Sequence, residues 1–530
     1  MHKKLTAEAV KELIIAGDEL AILDVREEGT FSERHMLYAS SVPLSTLERS
    51  IYALVPRRSA PIVLCDDDDG LSERAADRLA HFGYSDVSIM AGGLPGWEAA
   101  GHEIFSGVHV PSKAFGEFVE VNDHTPDISA EELNEKIESG ADLVVLDSRP
   151  FDEYQRMNIP TGIDVPGAEL VYRVHDLAPS PDTLVVVNCA GRTRSIIGAQ
   201  SLINAGIPND VVALCNGTMG WKLAGFETER GADRRALTSS PKGIAKAVEA
   251  AERVAQRFGI RSLDADTLAT WMAERDRRTL YLFDVRNPEE YEAGHMPGSV
   301  SAPGGQLVQG TDMYAATRHA RVVLIDDDGV RATMTASWLL QLGWQDVAVL
   351  KGVTAAPDLV VGSDQSVIAG LDEADAESIS ADALNDLLAV DAVSVIDLGR
   401  SLDYTRGHIP GAWFGIRSRL DKALAAVPIK NQLVITSGDG VFAQLAAAEA
   451  KDKVSMPVTY LAGGTAAWVD AGLPVTEGNE NLADSTDDMW LKPYDRSTGV
   501  VDAMNAYLAW EIGLVDQIAR DGTTNFKRFS

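Results

Sequence analysis

The chain repeats itself four times, and no other feature constrains its fold as strongly. Four segments open on a short apolar run that ends in an acid: LAILDVREEGTF from Leu20, DLVVLDSRPFDEY from Asp142, TLYLFDVRNPEEY from Thr279 and AVSVIDLGRSLDY from Ala392. Each continues into a helical start and then ERHM, RMNIP, AGHMPG or RGHIPG. A second apolar run follows (PIVLCDDDDG, TLVVVNCAGR, RVVLIDDDGV, QLVITSGDGV), then a helical stretch and a third run such as DVSIMAGGLPGW or DVVALCNGTMGW. Short apolar runs alternating with helix-length amphipathic stretches imply βα units. The expected fold is therefore α/β: four tandem domains, each a mainly parallel sheet flanked by helices. A length of 530 residues agrees, since domains average roughly 100–200 residues.

The repeats place domains at 1–112, 125–232, 262–360 and 376–480. Between the second and third, SPKGIAKAVEAAERVAQRFGI predicts a helical linker within 233–261, with Ser-Pro at its start and Gly259 at its end. Residues 481–530 carry Trp490, Tyr494, Tyr507, Trp510 and Phe526, too many aromatics for a solvated segment. That tail is expected to pack across other domains near the reactive loop. The opening MHKKLTAEAVKELI reads as an amphipathic helix.

A net charge of −32 argues against nucleic acid or an anionic membrane surface as partner. No apolar stretch approaches the roughly 20 residues that cross a bilayer. Three cysteines, Cys65, Cys189 and Cys215, give neither a disulfide framework nor a zinc spacing. The expectation is a cytoplasmic protein with no cofactor and no metal. The acidic runs Asp66–Asp69 and Asp326–Asp328 lack calcium-loop spacing and read as solvated or partner-facing loops.

Chemistry concentrates in Cys189-Ala190-Gly191-Arg192-Thr193-Arg194-Ser195, directly after Leu184-Val185-Val186-Val187. A buried strand that breaks into a Gly-containing loop and starts a helix leaves backbone N–H groups converging on the loop's mouth. Those amides, the helix dipole and two arginines favour thiolate over thiol, which makes Cys189 a candidate nucleophile. The amides from Ala190 through Gly191 and Thr193 to Ser195 form a candidate anion hole. Arg192 and Arg194 are candidate binders of the charged end of a substrate, with one of them free to point outward. The Thr193 and Ser195 hydroxyls either donate to the sulfur or cap the helix, capping being the favoured role for Ser195. Cys215 ends the third apolar run on the sheet edge that carries the loop, as a buried spectator or a resolving thiol.

The DVRxxxEYxxGHxPG element, the strand leading to a cysteine loop and the closing GG or GxxxW element together resemble the rhodanese family, four times over. DVRNPEEYEAGHMPGSV in the third repeat is the most specific match. The resemblance implies a sulfurtransferase: the loop cysteine takes a sulfane sulfur from a small anionic donor, commonly thiosulfate, and passes it as a persulfide to cyanide or a thiol, a protein thiol included. Arg149 matches the arginine of the family's DxR element, as a donor-binding residue or an ion-pair partner of Glu153. Aligned repeats put Asp66, Cys189, Asp326 and Ser437 at the nucleophile's position, with Cys65 one residue early. Only the second repeat then carries covalent sulfur, and the other three read as non-catalytic. Against a phosphatase stands Ser195, where that chemistry needs an arginine six residues after the cysteine. A persulfide-relay scaffold and a mercaptopyruvate-type transferase are the alternatives.

Overall fold

The computed structural model describes residues 2–236, 238–352, 358–363 and 367–529. Residue 237 in the linker, 353–357 at the end of the third repeat and 364–366 lie outside the described residues. Each repeat folds around its own parallel sheet. In the second, Leu143–Asp147 pairs with Leu184–Asn188, which pairs with Val211–Leu214; Ile163–Asp164 and Asp127–Ile128 close the two edges. Val185, Val186 and Val187 are fully buried. A continuous β-branched run suits a strand covered on both faces. Because every strand runs the same way, all their C-terminal ends, Cys189 and Cys215 among them, open on one edge.

The opening segment differs from its sequence reading. Lys3–Leu5 is a strand, paired in parallel with Ser88–Met90, and the helix begins only at Ala7. Thr6 divides them, its hydroxyl accepting from the Ala9 N–H at 3.3 Å. The helix Pro241–Phe258 runs as the punctuation predicts, from the Ser240 cap to Gly259 at φ +64°. It buries Ala247, Ala250, Ala251, Val254 and Phe258 against helices Leu170–Leu177 and Val330–Gln341. The linker is thus a wedge between the second and third repeats rather than a tether.

A helix that the repeats do not announce, Val110–Asp123, follows the first domain. Its Phe115 and Val119 join Ile196 and Ile197 of the second repeat and Tyr281, Phe283 and Trp338 of the third in one apolar cluster. The chain's last helix, Val500–Asp521, lies along it, burying Leu514 and Ile518 beside Val110 and Ala114. Charged contacts also cross between repeats. Arg331 pairs with Glu169 at 3.0 Å, and Arg417 with Glu48 at 2.7 Å, all four side chains being buried. The third repeat lends a strand to the first: Thr317–Arg318 pairs antiparallel with Leu20 and Ala21 on the edge whose other half is covered by Ser40–Ser41. Among the described residues no helix is long and apolar enough to cross a membrane.

Candidate active site

Cys189 follows the central strand of the second repeat, and the helix Thr193–Ala205 starts four residues later. Its thiol is buried, with Sγ 3.6 Å from the Ser195 hydroxyl. The loop is fixed from behind by the next strand–helix turn, where Thr218 N–H donates to the Cys189 carbonyl at 2.8 Å and Met219 N–H to that of Ala190 at 3.0 Å. Gly217 is required at that turn: its φ is +54°, and a Cβ there would stand 2.4 Å from the Cys189 carbonyl oxygen.

The other three loops show what this backbone recognises. The Asp66 carboxylate accepts from the N–H groups of Asp68 (3.0 Å) and Ser72 (2.9 Å). Asp326 accepts from Asp327 (2.6 Å), Arg331 (2.7 Å) and Ala332 (3.2 Å). The Ser437 hydroxyl accepts from Ala443 N–H at 3.2 Å. Loop amides therefore take an acceptor at the nucleophile's position in each of these three repeats, and in the first and third a carboxylate of the chain fills that cradle. Cys65 lies just before the first loop, buried, with burial pushing its thiol well above the usual range.

Both loop arginines are held by carboxylates. Arg192 clamps Glu117 through two hydrogen bonds of 2.7 and 2.8 Å, reaches Glu120, and donates to the Asn216 side chain at 3.1 Å. Arg194 pairs with Glu153 at 2.9 Å, and Lys492 approaches the same carboxylate at 3.4 Å. Burial opposes ionisation of Glu153, but Arg194 and Lys492 outweigh it and hold its carboxyl below the usual range. Arg149 binds Asp147 through bonds of 2.8 and 2.6 Å and the Met157 carbonyl at 2.6 Å. Its ion-pair partner is thus Asp147, and the pairing with Glu153 entertained from sequence belongs to Arg194. Ser195 does not cap: it sits in the helix's first turn, its hydroxyl donating to the Arg192 carbonyl at 2.7 Å. Thr193 donates to Glu511 at 3.2 Å. Cys215 is half-buried, and burial pushes its thiol up.

Glu511 belongs to the last helix, and sequence reasoning did not single it out. Its Oε1 accepts from Lys113 (2.9 Å), Thr193 and Tyr507 (3.0 Å), while Oε2 has no hydrogen-bond partner among the described residues and lies 3.2 Å from where a Gly191 Cβ would stand. Tyr507 and Leu508 come within 3.3 and 3.9 Å of the same point, so this helix roofs the loop. Glu117 and Glu120 were missed as well. Their only signal is a three-residue spacing on a stretch that Pro111 opens as a helix.

The rhodanese-like domain model matches residues 6–100, 129–224, 264–355 and 380–471. A crystal structure described as a thiosulfate sulfurtransferase from Pseudomonas aeruginosa is 50% identical and covers 100% of both chains with a TM-score of 0.95. Among curated proteins, an HTH-type transcriptional regulator of Mycobacterium tuberculosis is 32% identical over 105 residues, 20% of this chain and 45% of that one. A thiosulfate sulfurtransferase of Pseudoalteromonas translucida is 26% identical over 77 residues, 14% of this chain and 71% of that one. The chain spans about half the length of the first curated relatives it matches. Four matches to one domain model, each centred on its own parallel sheet, show that the chain belongs to the rhodanese family.

Proposed function

We propose that the protein is a sulfurtransferase in which Cys189 alone carries sulfur, taken from thiosulfate or a similar small anionic donor. The observation that carries this reading is a single cysteine at the mouth of an amide-lined loop whose counterparts hold acceptor side chains of the chain itself. The Cys189 thiolate attacks the outer sulfur of thiosulfate, the S–S bond breaks, and sulfite leaves with the bonding pair. The resulting persulfide anion sits where the Asp66 and Asp326 carboxylates sit in their loops, held by N–H groups from Ala190 to Ser195. Cyanide or a thiol then attacks the outer sulfur, releasing thiocyanate or a new persulfide and restoring the Cys189 thiolate.

With Arg192 and Arg194 each holding carboxylates, donor binding falls mainly to the amides, and the arginines build the loop. The roof of Tyr507, Leu508 and Glu511 over a buried thiol favours small donors and acceptors over a protein thiol, and so favours an enzyme over a relay scaffold. Three thiols and no disulfide suit a reducing cytoplasm.

Intact mass before and after thiosulfate, then after cyanide, tests the reading in wild type and Cys189→Ser. The expected result is a gain of about 32 mass units, one sulfur, absent in Cys189→Ser and removed by cyanide with an equivalent of thiocyanate. Sulfur uptake that persists in Cys189→Ser, or none in wild type, would overturn it.

A further inference from the structure

In three repeats a buried aspartate and an arginine two residues on form a closed pair. Asp24 binds Arg26, Asp147 binds Arg149 and Asp284 binds Arg286, each through a contact of 2.6 Å. Each guanidinium also donates to a main-chain carbonyl eight residues further along: Arg34, Met157 or Gly294. The fourth repeat keeps the aspartate, Asp397, but has Gly399 in the arginine's place. The neighbouring Arg400 does not replace it, because its side chain is exposed and bonds Asp403 at 2.9 Å.

Asp397 is therefore buried with no ion pair among the described residues. Within the described residues its carboxylate accepts from Gly399 N–H at 2.7 Å and the Thr465 hydroxyl at 3.3 Å. His408, buried nearby, spends its Nδ1 on the Tyr404 carbonyl. A buried carboxylate without a cation is costly. Asp397, Gly399 and Gly407, the residue at the carbonyl position, all line a cavity of about 900 Å³ between the fourth and first repeats, which leaves room for a guanidinium head, although a Cβ at Gly399 would itself stand 2.9 Å from Asp397 Oδ1. Its volume is that of a small-molecule site.

The cavity's cations are already spent. Arg49 pairs with Asp439, Arg417 with Glu48 and Glu449, and His109 with Asp312. A second lining carboxylate, Asp488, accepts from Ser401 N–H through one oxygen, and its other oxygen is buried without a partner among the described residues. Phe31 and Phe442 add aromatic wall, and exposed Arg400, Asp403 and Asp439 mark the opening to solvent. Ser437, at the nucleophile's position, offers a neutral hydroxyl and no competing charge.

We infer that this cavity is a binding site for a guanidinium-bearing small molecule, whose head replaces the missing arginine between Asp397 and Gly407. The planar fork that satisfies Asp147 and the Met157 carbonyl in the second repeat is the chemistry the fourth repeat lacks. The site is separate from Cys189 and does not depend on sulfur transfer.

Titration calorimetry on the full chain with methylguanidinium, and with N-methylurea as its neutral isostere, tests the inference. Wild type is expected to bind one methylguanidinium saturably and to give no saturable signal with N-methylurea. Gly399→Arg, which restores the side chain three repeats already carry, and Asp397→Asn are each expected to weaken binding at least about ten-fold. Should Asp397→Asn fail to fold, Gly399→Arg decides alone, since Gly399 does not have a positive φ and the closest contact of its new Cβ, 2.9 Å to Asp397 Oδ1, is with the end of a side chain that can turn toward the new guanidinium. No saturable binding to wild type, equal binding of N-methylurea, or unchanged affinity in Gly399→Arg would overturn the proposal.

Discussion

Arg192 shows how a residue can stand in a reactive loop and serve its architecture. Its guanidinium and Glu117 are both buried and doubly hydrogen-bonded, so removing one leaves a stranded charge. Arg192→Ala is expected to cost roughly 3–5 kcal/mol of stability in denaturant unfolding, with much of it recovered when Glu117→Gln is added. Glu27 supplies a pH-dependent case. Burial pushes its carboxyl up to about 7 against the Ser418 and Ser45 hydroxyls that bind it. The folded state thus keeps this proton to a higher pH than the unfolded chain does. The stability it contributes is complete below an ordinary glutamate range near 4.5 and is lost as pH rises through about 7. Wild-type stability relative to Glu27→Gln should fall by roughly 3 kcal/mol across that window in pH-resolved melts. The Cys189 loop was legible because its chemistry lies in seven consecutive residues. Its supports were not: Glu117 stands 75 residues before Arg192, and Glu511 318 residues after Thr193. Nothing local in a sequence links side chains so far apart.

Among the elements, the last helix joins stability to access. Leu514 packs among Leu37, Phe105, Val110 and Ala114, and Leu514→Ala is expected to cost about 2–5 kcal/mol in chemical denaturation. Removing residues 499–530 takes Tyr507, Leu508 and Glu511 off the loop, and alkylation of Cys189 should then accelerate at least about ten-fold, read by mass against time. An unchanged alkylation rate would mean that small molecules reach the thiol by another route. The helix Pro241–Phe258 was readable because Ser-Pro, an apolar stripe and Gly are all encoded within it. Lys3–Leu5 was not, because its strand identity comes from the register of Ser88–Met90. Val110–Asp123 escaped for a related reason: Val110, Ala114, Phe115 and Val119 meet several domains at once, which blurs the one-sided stripe by which a surface helix is recognised.

For the whole molecule, the repeat count and the parallel sheets could be read from sequence, whereas the way repeats hold one another could not. Arg417 reaches from the fourth repeat to Glu48 of the first at 2.7 Å and also bonds Glu449 at 2.6 Å. Arg417→Ala is expected to weaken that junction by roughly 3–5 kcal/mol and to split one calorimetric transition into two, the fourth repeat melting first. The strand Thr317–Arg318 carries a consequence in time. Half of one edge of the Leu20–Asp24 strand stays bare until residue 318 has left the ribosome. At about 5–20 residues per second that wait is on the order of tens of seconds. During synthesis the first repeat is thus a nearly finished sheet with an adhesive border, the kind of edge that invites pairing with a neighbouring nascent chain.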